Sequence, residues 1–189
     1  MTESQPFQTQ IDFTTGRMSP CEKNVKRYAE DMEGYFLSPA GDARRLIYET
    51  FERAVPHIAG EIVENITVVY PGTIGDEYFM TKGHYHENLA SAEVYFCLSG
   101  SGYLLMESAA GDLQMLPMNL GLSVHVPPGW AHRSVNVGDT PLVVYALYPA
   151  DAGHDYERVL RNGFSRRLVR GANDAPVLVN SRKEVDRSA

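Results

Sequence analysis

The sequence predicts an all-β domain, either a sandwich or a small barrel, and three observations favour it. From residue 62 onward, short apolar segments of strand length follow one another, each bounded by a turn signal. The 16 glycines and 11 prolines supply these signals, as at Pro71-Gly72 and Pro127-Pro128-Gly129. Turns spaced by roughly 8–12 residues are typical of sandwiches and barrels, where tight connections join many short strands.

The predicted strands fill most of residues 62–148. In chain order they are 62–70, 77–86, 92–99, 102–108, 113–118, 122–127, 132–137 and 141–148. No repeat or linker divides the 189 residues, so they are predicted to form a single domain. We divide it into an N-terminal arm (1–60), a barrel core (61–150) and a C-terminal segment (151–189). The polar tail from Gly171 is predicted to be loosely held.

Two structures compete in the second half of the N-terminal arm. Apolar residues recur there near the helical period, at Ala43, Leu46, Ile47, Phe51, Ala54, Val55 and Ile58. This period favours a helix after the Pro39-Ala40-Gly41 turn. The run Leu46-Ile47-Tyr48 could equally begin a strand that joins the sheet. The period alone leaves both structures open.

The composition excludes several classes of protein. The 17 Lys and Arg against 24 Asp and Glu give a net charge of −7, whereas nucleic-acid and membrane-surface binders need a basic face. The longest clean apolar stretch, 142–148, is far shorter than the roughly 20 residues of a membrane span. The N-terminus lacks the features of a secretory signal, and two cysteines cannot form a disulfide framework. These features predict a cytoplasmic protein.

Three histidines and one acid form a candidate metal site. His84 and His86 are two apart in a predicted strand, so both imidazoles should lie on one face. Glu93 begins the next strand, and His132 follows a rigid Pro-Pro-Gly-Trp turn. Mixed nitrogen and oxygen ligands suit divalent Fe, Mn, Ni or Zn, whereas Ca and Mg prefer oxygen. A single strand histidine is nevertheless more often a surface or hydrogen-bonded core residue.

The spacing around these residues matches two known motifs. The second motif of the cupin superfamily is complete, with the residues Gly121, Pro127, Gly129, His132 and Asn136. The first motif is matched in part, by His84, His86, Glu93 and Gly100. It departs in two ways, because six residues separate His86 from Glu93 and Tyr78 stands where a glycine is usual. The chain resembles the cupins, which implies a small β-barrel of the jelly-roll type with an N-terminal extension that adds strands and a short C-terminal tail.

Further stretches are similar to one branch, the cupin-type glucose-6-phosphate isomerases. They are DMEGYF (31–36), LIYE (46–49), YPG (70–72), TKGHYH (81–86), AEVY (92–95), PPGWAHRSVN (127–136) and YPADAGHDY (148–156). The long loop before Glu93 is shared with this branch. The stretch that contains LIYE is extended in the family, so the resemblance favours a strand over Arg45–Phe51.

The resemblance implies roles for individual residues. It implies that the metal is bound by His84, His86, Glu93 and His132. It implies that the substrate phosphate is bound by Tyr48, Thr67, Thr81 and the backbone N–H of Gly83. The sugar would be contacted by Tyr95, Tyr148 and His154, and the catalytic residues would be Glu93, Tyr148 and His154. Taken without the resemblance, the tyrosines could be barrel core, the threonines ordinary strand residues, and His154 a surface residue at a helix start.

The implied activity is the metal-dependent interconversion of glucose 6-phosphate and fructose 6-phosphate, as in glycolysis and gluconeogenesis. The resemblance implies a homodimer with one divalent metal per chain, Fe(II) foremost and Mn, Ni or Zn as alternatives. The metal would polarise O1 and O2, and Glu93 would act as the base of an enediol route or stay bound during a hydride shift. An Fe(II) cupin dioxygenase and a non-catalytic sugar-binding cupin are the competing functions, because cupins serve many.

The phosphate raises a question of charge. A protein of net charge −7 does not attract an anion at long range, so we expect binding to come from local neutral donors, the hydroxyl and N–H groups named above. Arg133, next to His132, could contact the site or lie on a solvated rim.

Overall fold

The computed structural model describes residues 5–181, and strands dominate it. Its strands are β1 (Gln10–Ile11), β2 (Met18–Ser19), β3 (Lys23–Tyr28), β4 (Leu46–Arg53), β5 (Ile62–Val69), β6 (Thr73–Ile74), β7 (Glu77–Tyr78), β8 (Glu93–Ser99), β9 (Ser101–Ser108), β10 (Leu113–Asn119), β11 (Ser123–Val126), β12 (Trp130–Asn136), β13 (Leu142–Pro149), β14 (Arg166–Arg170) and β15 (Pro176–Asn180). The helical elements are α1 (Tyr156–Asn162) and two 3-10 turns (Ala29–Met32 and Ala172–Asp174). Within 5–181, no helix has the length and apolar character required to cross a bilayer.

The strands form antiparallel sheets, so the predicted all-β class is confirmed. The largest sheet has six strands in the order β11-β8-β13-β5-β4-β3. A three-stranded sheet, β10-β9-β12, and a four-stranded sheet, β15-β14-β7-β6, accompany it. The main apolar core contains side chains from all three sheets, among them Tyr48, Leu104 and Leu168.

The N-terminal arm adds strands to the sheet, as the resemblance implied. β4 pairs with β5 on one side and with β3 on the other, and Tyr48 lies opposite Val69. The helical alternative for residues 43–58 is therefore wrong, and the extended structure that the resemblance favoured over Arg45–Phe51 is confirmed. Cross-strand pairing with β5 outweighs a short helical period, because a strand beside a ready sheet edge satisfies its backbone hydrogen bonds at once.

The N-terminal hairpin covers a second, smaller core on the opposite side of the large sheet. This core consists of Met18, Ile66, Val68, Leu98 and Val143. Gly16, in the turn between β1 and β2, has φ +71°, and a Cβ there would lie 2.5 Å from Val68 Cγ2. Only glycine allows the hairpin to pack so closely.

Two predicted segments differ from the structure. The expected strand over 77–86 is regular only in β7, and beyond it Met80, His84 and Tyr85 make isolated bridges. Gly83 interrupts the strand because its φ is +72°. The tail from Gly171 is more ordered than expected, since β15 pairs with β14 along its whole length. Residues 182–189 lie outside the described part of the chain.

Asn136, the last residue of the second motif, has a structural role. Its side-chain nitrogen donates to the carbonyl oxygens of Val69 and Thr140, both at 2.8 Å, and its Oδ1 accepts from the N–H of Gly138 at 2.9 Å. The residue is fully buried. It thus joins β12 to β5 and closes the turn before β13.

We predict that Asn136→Ala lowers the free energy of unfolding by about 2–4 kcal/mol, because three backbone groups lose their partner, among them the fully buried carbonyl of Val69. Urea denaturation measures this change. Asn119→Ala is the matched control, since Asn119 is exposed and accepts a single bond from Ser101 Oγ. We expect about 0.5 kcal/mol or less for the control, and equal losses in both variants would contradict the structural role of Asn136.

Candidate metal centre

The fold brings the four predicted ligands together from three segments of the chain. His84 and His132 exchange backbone hydrogen bonds, with N–O distances of 3.2 and 3.1 Å, and this bridge fixes the irregular segment after Gly83 against β12. Glu93 is the first residue of β8, as predicted. Although 80–86 is not a regular strand, the spacing of two still places the His84 and His86 rings on one side, with centroids 5.5 Å apart.

The ligand atoms surround one carboxylate oxygen. Glu93 Oε2 lies 2.9 Å from His132 Nε2, 3.1 Å from His86 Nε2 and 4.0 Å from His84 Nε2. Each of the four residues contributes one potential ligand atom, and these four atoms all lie within 4.8 Å of one another. The side chains are buried, with exposures of 9% (His84), 5% (His86), 2% (Glu93) and 1% (His132).

The donor set fits a cation, because acceptors predominate at the centre. His86 Nδ1 lies 3.2 Å from the carbonyl oxygen of Ser91, and His132 Nδ1 lies 3.2 Å from that of Trp130. A neutral imidazole whose Nδ1–H is donated in this way has only a lone pair at Nε2. The Nε2 atom of His84 is also buried without a hydrogen-bond partner, and that of His132 contacts Glu93 Oε2 alone among the predicted ligands.

The ionisation states agree with metal binding. Burial raises the pKa of Glu93, but its contacts with His132 and His86 lower it further, to about 2, so the carboxylate is charged. Burial and the neighbouring His132, His154 and His86 hold the pKa of His84 well below its usual value. Three imidazole nitrogens and one carboxylate suit a divalent transition metal better than Ca²⁺ or Mg²⁺, which prefer oxygen ligands.

A pocket of about 230 Å³ adjoins three of the four residues, His84, Glu93 and His132. The other residues to which the resemblance gave roles all line it: Tyr48, Thr67, Thr81, Gly83, Tyr95, Tyr148 and His154. Strand pairing explains part of this convergence. Thr67 on β5 lies opposite Thr50 on β4 and Val144 on β13, so the inner face of the large sheet forms one wall.

The groups predicted to hold the sugar lie next to the metal ligands. Tyr95 donates a hydrogen bond to Glu93. The Tyr148 hydroxyl donates to Glu52 Oε2 at 3.3 Å. The His154 ring packs edge-on against His84 and Tyr148, with centroid distances of 4.4 and 5.3 Å. Burial lowers the pKa of His154, and the charge of Glu93 raises it by less, so that the pKa is about 4. This imidazole is therefore neutral near pH 7.

The groups predicted to bind the phosphate differ in whether they have a hydrogen available to donate to a ligand. Thr81 Oγ1 accepts from the Ser134 N–H at 3.1 Å, which leaves the threonine hydroxyl hydrogen available. The Gly83 N–H has no protein acceptor within the described residues. The Thr67 hydroxyl, in contrast, donates to Asn65 Oδ1 at 3.1 Å, so it must exchange that bond for one to a ligand.

Sequence analysis missed several residues of the pocket. Lys23, Val25 and Arg27 line it from β3, and Glu52 and Tyr156 also face it. The alternation in KNVKRY was the available signal for β3, but without the pairing of this edge strand nothing indicated which face was inward. Arg133 is not on a solvated rim, because it is 2% exposed and packs over the Phe164 ring.

Comparisons with known proteins agree with this site. The family model described as glucose-6-phosphate isomerase matches residues 45–182. The glucose-6-phosphate isomerase of Thermococcus litoralis is 41% identical over 175 residues, which cover 89% of this chain and 92% of that protein. That of Pyrococcus furiosus is 40% identical over 184 residues (94% and 97%), and that of Sinorhizobium medicae is 34% identical over 192 residues (98% and 87%).

A solved structure of oxalate oxidase also aligns, with a TM-score of 0.45 and 15% identity over 54% of this chain and 49% of that chain. A likeness this weak has no bearing on function. The match over residues 45–182 and the identities of 34–41% are decisive. The chain therefore belongs to the glucose-6-phosphate isomerase family, in its cupin-type branch.

Proposed function

We propose that this protein interconverts glucose 6-phosphate and fructose 6-phosphate as a metal-dependent aldose–ketose isomerase. The single observation that carries the proposal is the buried set of three imidazoles and one carboxylate beside a pocket lined with hydroxyl groups. Relatives of similar length bear the name of this activity. The sugar end of such a substrate would lie beside the proposed metal ligands, and its phosphate end beside the hydroxyl groups of the pocket.

His84, His86, Glu93 and His132 are the proposed metal ligands, with Fe(II) as the native ion and Mn, Ni or Zn as substitutes. A divalent ion held there supplies positive charge for the oxygens at C1 and C2 of the substrate, where negative charge develops during isomerisation. The backbone bridge between His84 and His132 holds two of these ligands in place before substrate arrives.

Glu93 is the proposed base between C1 and C2. Its carboxylate is ionised, and Tyr95 holds it in position through a hydrogen bond. In an enediol route Glu93 removes the proton from one carbon and returns it to the other. In a hydride shift the hydrogen moves directly, and Glu93 remains a ligand. Turnover in D₂O separates the routes, because only the enediol route introduces solvent deuterium into the product.

Tyr148 and His154 are proposed to contact the sugar oxygens and to exchange protons with them. Tyr48, Thr67, Thr81 and the Gly83 N–H are proposed to bind the phosphate. Thr81 is the clearest of these, since its oxygen already accepts one bond and its hydrogen is available for another.

The location, assembly and pathway of the protein are also proposed from the family. We propose a cytoplasmic homodimer that acts in glycolysis and gluconeogenesis. Each chain would be organised as an arm (1–60), a barrel core (61–150) and a C-terminal segment (151–189). The exposed apolar side chains of Val94, Phe96 and Leu147 lie on the outer face of paired strands and support self-association. Sedimentation velocity of the metal-loaded protein measures the oligomeric state.

The first prediction concerns the metal. Chelation should reduce the conversion of fructose 6-phosphate by at least about 100-fold, and one of Fe, Mn, Ni or Zn should restore it, because the substrate oxygens lose their electrophile. His84→Ala should lose both bound metal and activity. His125→Ala is the control, since His125 is exposed on β11 outside the pocket, and it should keep both.

Turnover that survives complete metal removal would contradict the proposal, as would the absence of turnover with all four metals. An oxygen electrode run with the Fe(II) protein and the same substrates tests the dioxygenase alternative. Oxygen consumption coupled to substrate loss would favour it.

The second prediction concerns the phosphate. Thr81→Val should raise the KM for fructose 6-phosphate about 10-fold while kcat stays within about threefold, because one charge-assisted hydrogen bond is lost away from the reacting carbons. Steady-state kinetics measure both constants. Thr73→Val, outside the pocket, is the control. A fall in kcat with an unchanged KM would place Thr81 elsewhere in the mechanism.

A further inference from the structure

The net charge of −7 leaves the recognition of a phosphate dianion incompletely explained by neutral donors. A phosphate monoester carries about −1.5 to −2 charges near pH 7, and a buried or half-buried anion is favoured by a nearby cation that is not already paired. Cations around the pocket are therefore the groups to consider. The inference below rests on the proposed function, because it assumes that the substrate carries a phosphate.

Arg27 lies in the wall of the pocket. Alternation along β3 turns Lys23, Val25 and Arg27 toward the pocket, and Arg27 lies directly opposite Tyr48 on β4. Both residues line the pocket. Arg27 is half-buried there, next to one of the predicted phosphate donors.

Arg27 has no carboxylate partner within 4.0 Å among residues 5–181, unlike the lysine on the same face of its strand. Lys23 forms an ion pair with Glu52, its cross-strand neighbour, at 3.2 Å. Asp31, the nearby acid of the first 3-10 turn, instead accepts a hydrogen bond from the Tyr28 N–H at 2.8 Å. A cation in a pocket wall without an anionic partner is arranged for an anion from outside.

A second cation lies near Arg27. Lys82 lies over the Tyr35 ring, 5.1 Å from its centroid, and burial together with the charge of Arg27 lowers its pKa. Two like charges close together are unfavourable until an anion joins them.

Tyr48, one of the predicted phosphate donors, is influenced by both residues. Burial raises the pKa of the Tyr48 hydroxyl, and the Arg27 guanidinium and the Lys82 backbone oppose that rise. Arg27 therefore lies beside one of the predicted phosphate donors in the wall of the pocket.

We propose that Arg27 binds the substrate phosphate directly and, with Lys82 near it, makes the pocket select phosphorylated over unphosphorylated sugars. The planar guanidinium can give two parallel hydrogen bonds to phosphate oxygens, which neutral hydroxyls cannot match in strength. The positive charge needed by a dianion is thus local and is not visible in the net charge of the chain.

The test uses inorganic phosphate and does not require turnover. Isothermal titration calorimetry at constant ionic strength compares the metal-loaded wild-type protein with Arg27→Met, Arg27→Lys and Lys26→Met. Lys26 is exposed on the opposite face of the same strand, so its replacement removes the same charge without touching the pocket. We expect phosphate affinity to fall by about 10- to 100-fold in Arg27→Met, less in Arg27→Lys, and less than twofold in Lys26→Met.

Steady-state kinetics give a second reading. The KM for fructose 6-phosphate should rise in Arg27→Met in parallel with the loss of phosphate affinity, at unchanged metal content. Equal phosphate affinity in all four proteins, an equal loss in both methionine variants, or no phosphate binding by the wild-type protein would overturn the proposal. Because calorimetry is independent of catalysis, an inactive wild-type protein that still binds phosphate through Arg27 would refute the isomerase function and leave this site standing.

Discussion

The pair of backbone hydrogen bonds between His84 and His132 is the constraint on which the chemistry of this protein depends. Residues 80–86 do not continue a regular strand, and this bridge fixes them to the three-stranded sheet. It requires a close approach, because a Cβ at Gly83 would lie 2.9 Å from the His132 carbonyl oxygen. Gly83, with φ +72°, meets that demand without steric cost. The same glycine lines the pocket.

The centre that results is unfavourable for folding in the absence of a cation. Three imidazoles and a charged carboxylate are buried together, and the Nε2 atom of His84 has no hydrogen-bond partner. Buried acceptors without donors cost free energy, and the apolar core formed by the three sheets must offset that cost. Asn136 shows the opposite arrangement a short distance along β12, since every polar atom of its side chain is satisfied.

Charged side chains are distributed unevenly over the protein. The chain as a whole is acidic, yet Arg27 lines the pocket with Lys82 near it, and Arg167 pairs with Glu77 in the interior. Net charge describes long-range attraction and solubility, whereas binding in a pocket responds to the groups within a few ångströms. An acidic enzyme can therefore bind an acidic substrate without contradiction.

The sequence by itself determined the all-β class, most strand positions and the four candidate metal ligands. Turn residues, the two-residue periodicity and the motif spacing are local properties, and His-x-His keeps both rings on one side even where the strand is irregular. The resemblance also pointed to the extended structure of Leu46–Arg53, against the helical period.

Only the tertiary structure decided the partner strands and hence the pocket wall. Arg27 and Tyr48 are 21 residues apart and meet only because β3 pairs with β4, which itself pairs with β5. No local pattern in the N-terminal arm says which face of β3 is inward, or that Arg133 is buried instead of solvated. Such contacts arise from packing between segments that are distant in the sequence. Their free energy depends on which surface of one segment is buried against which surface of another.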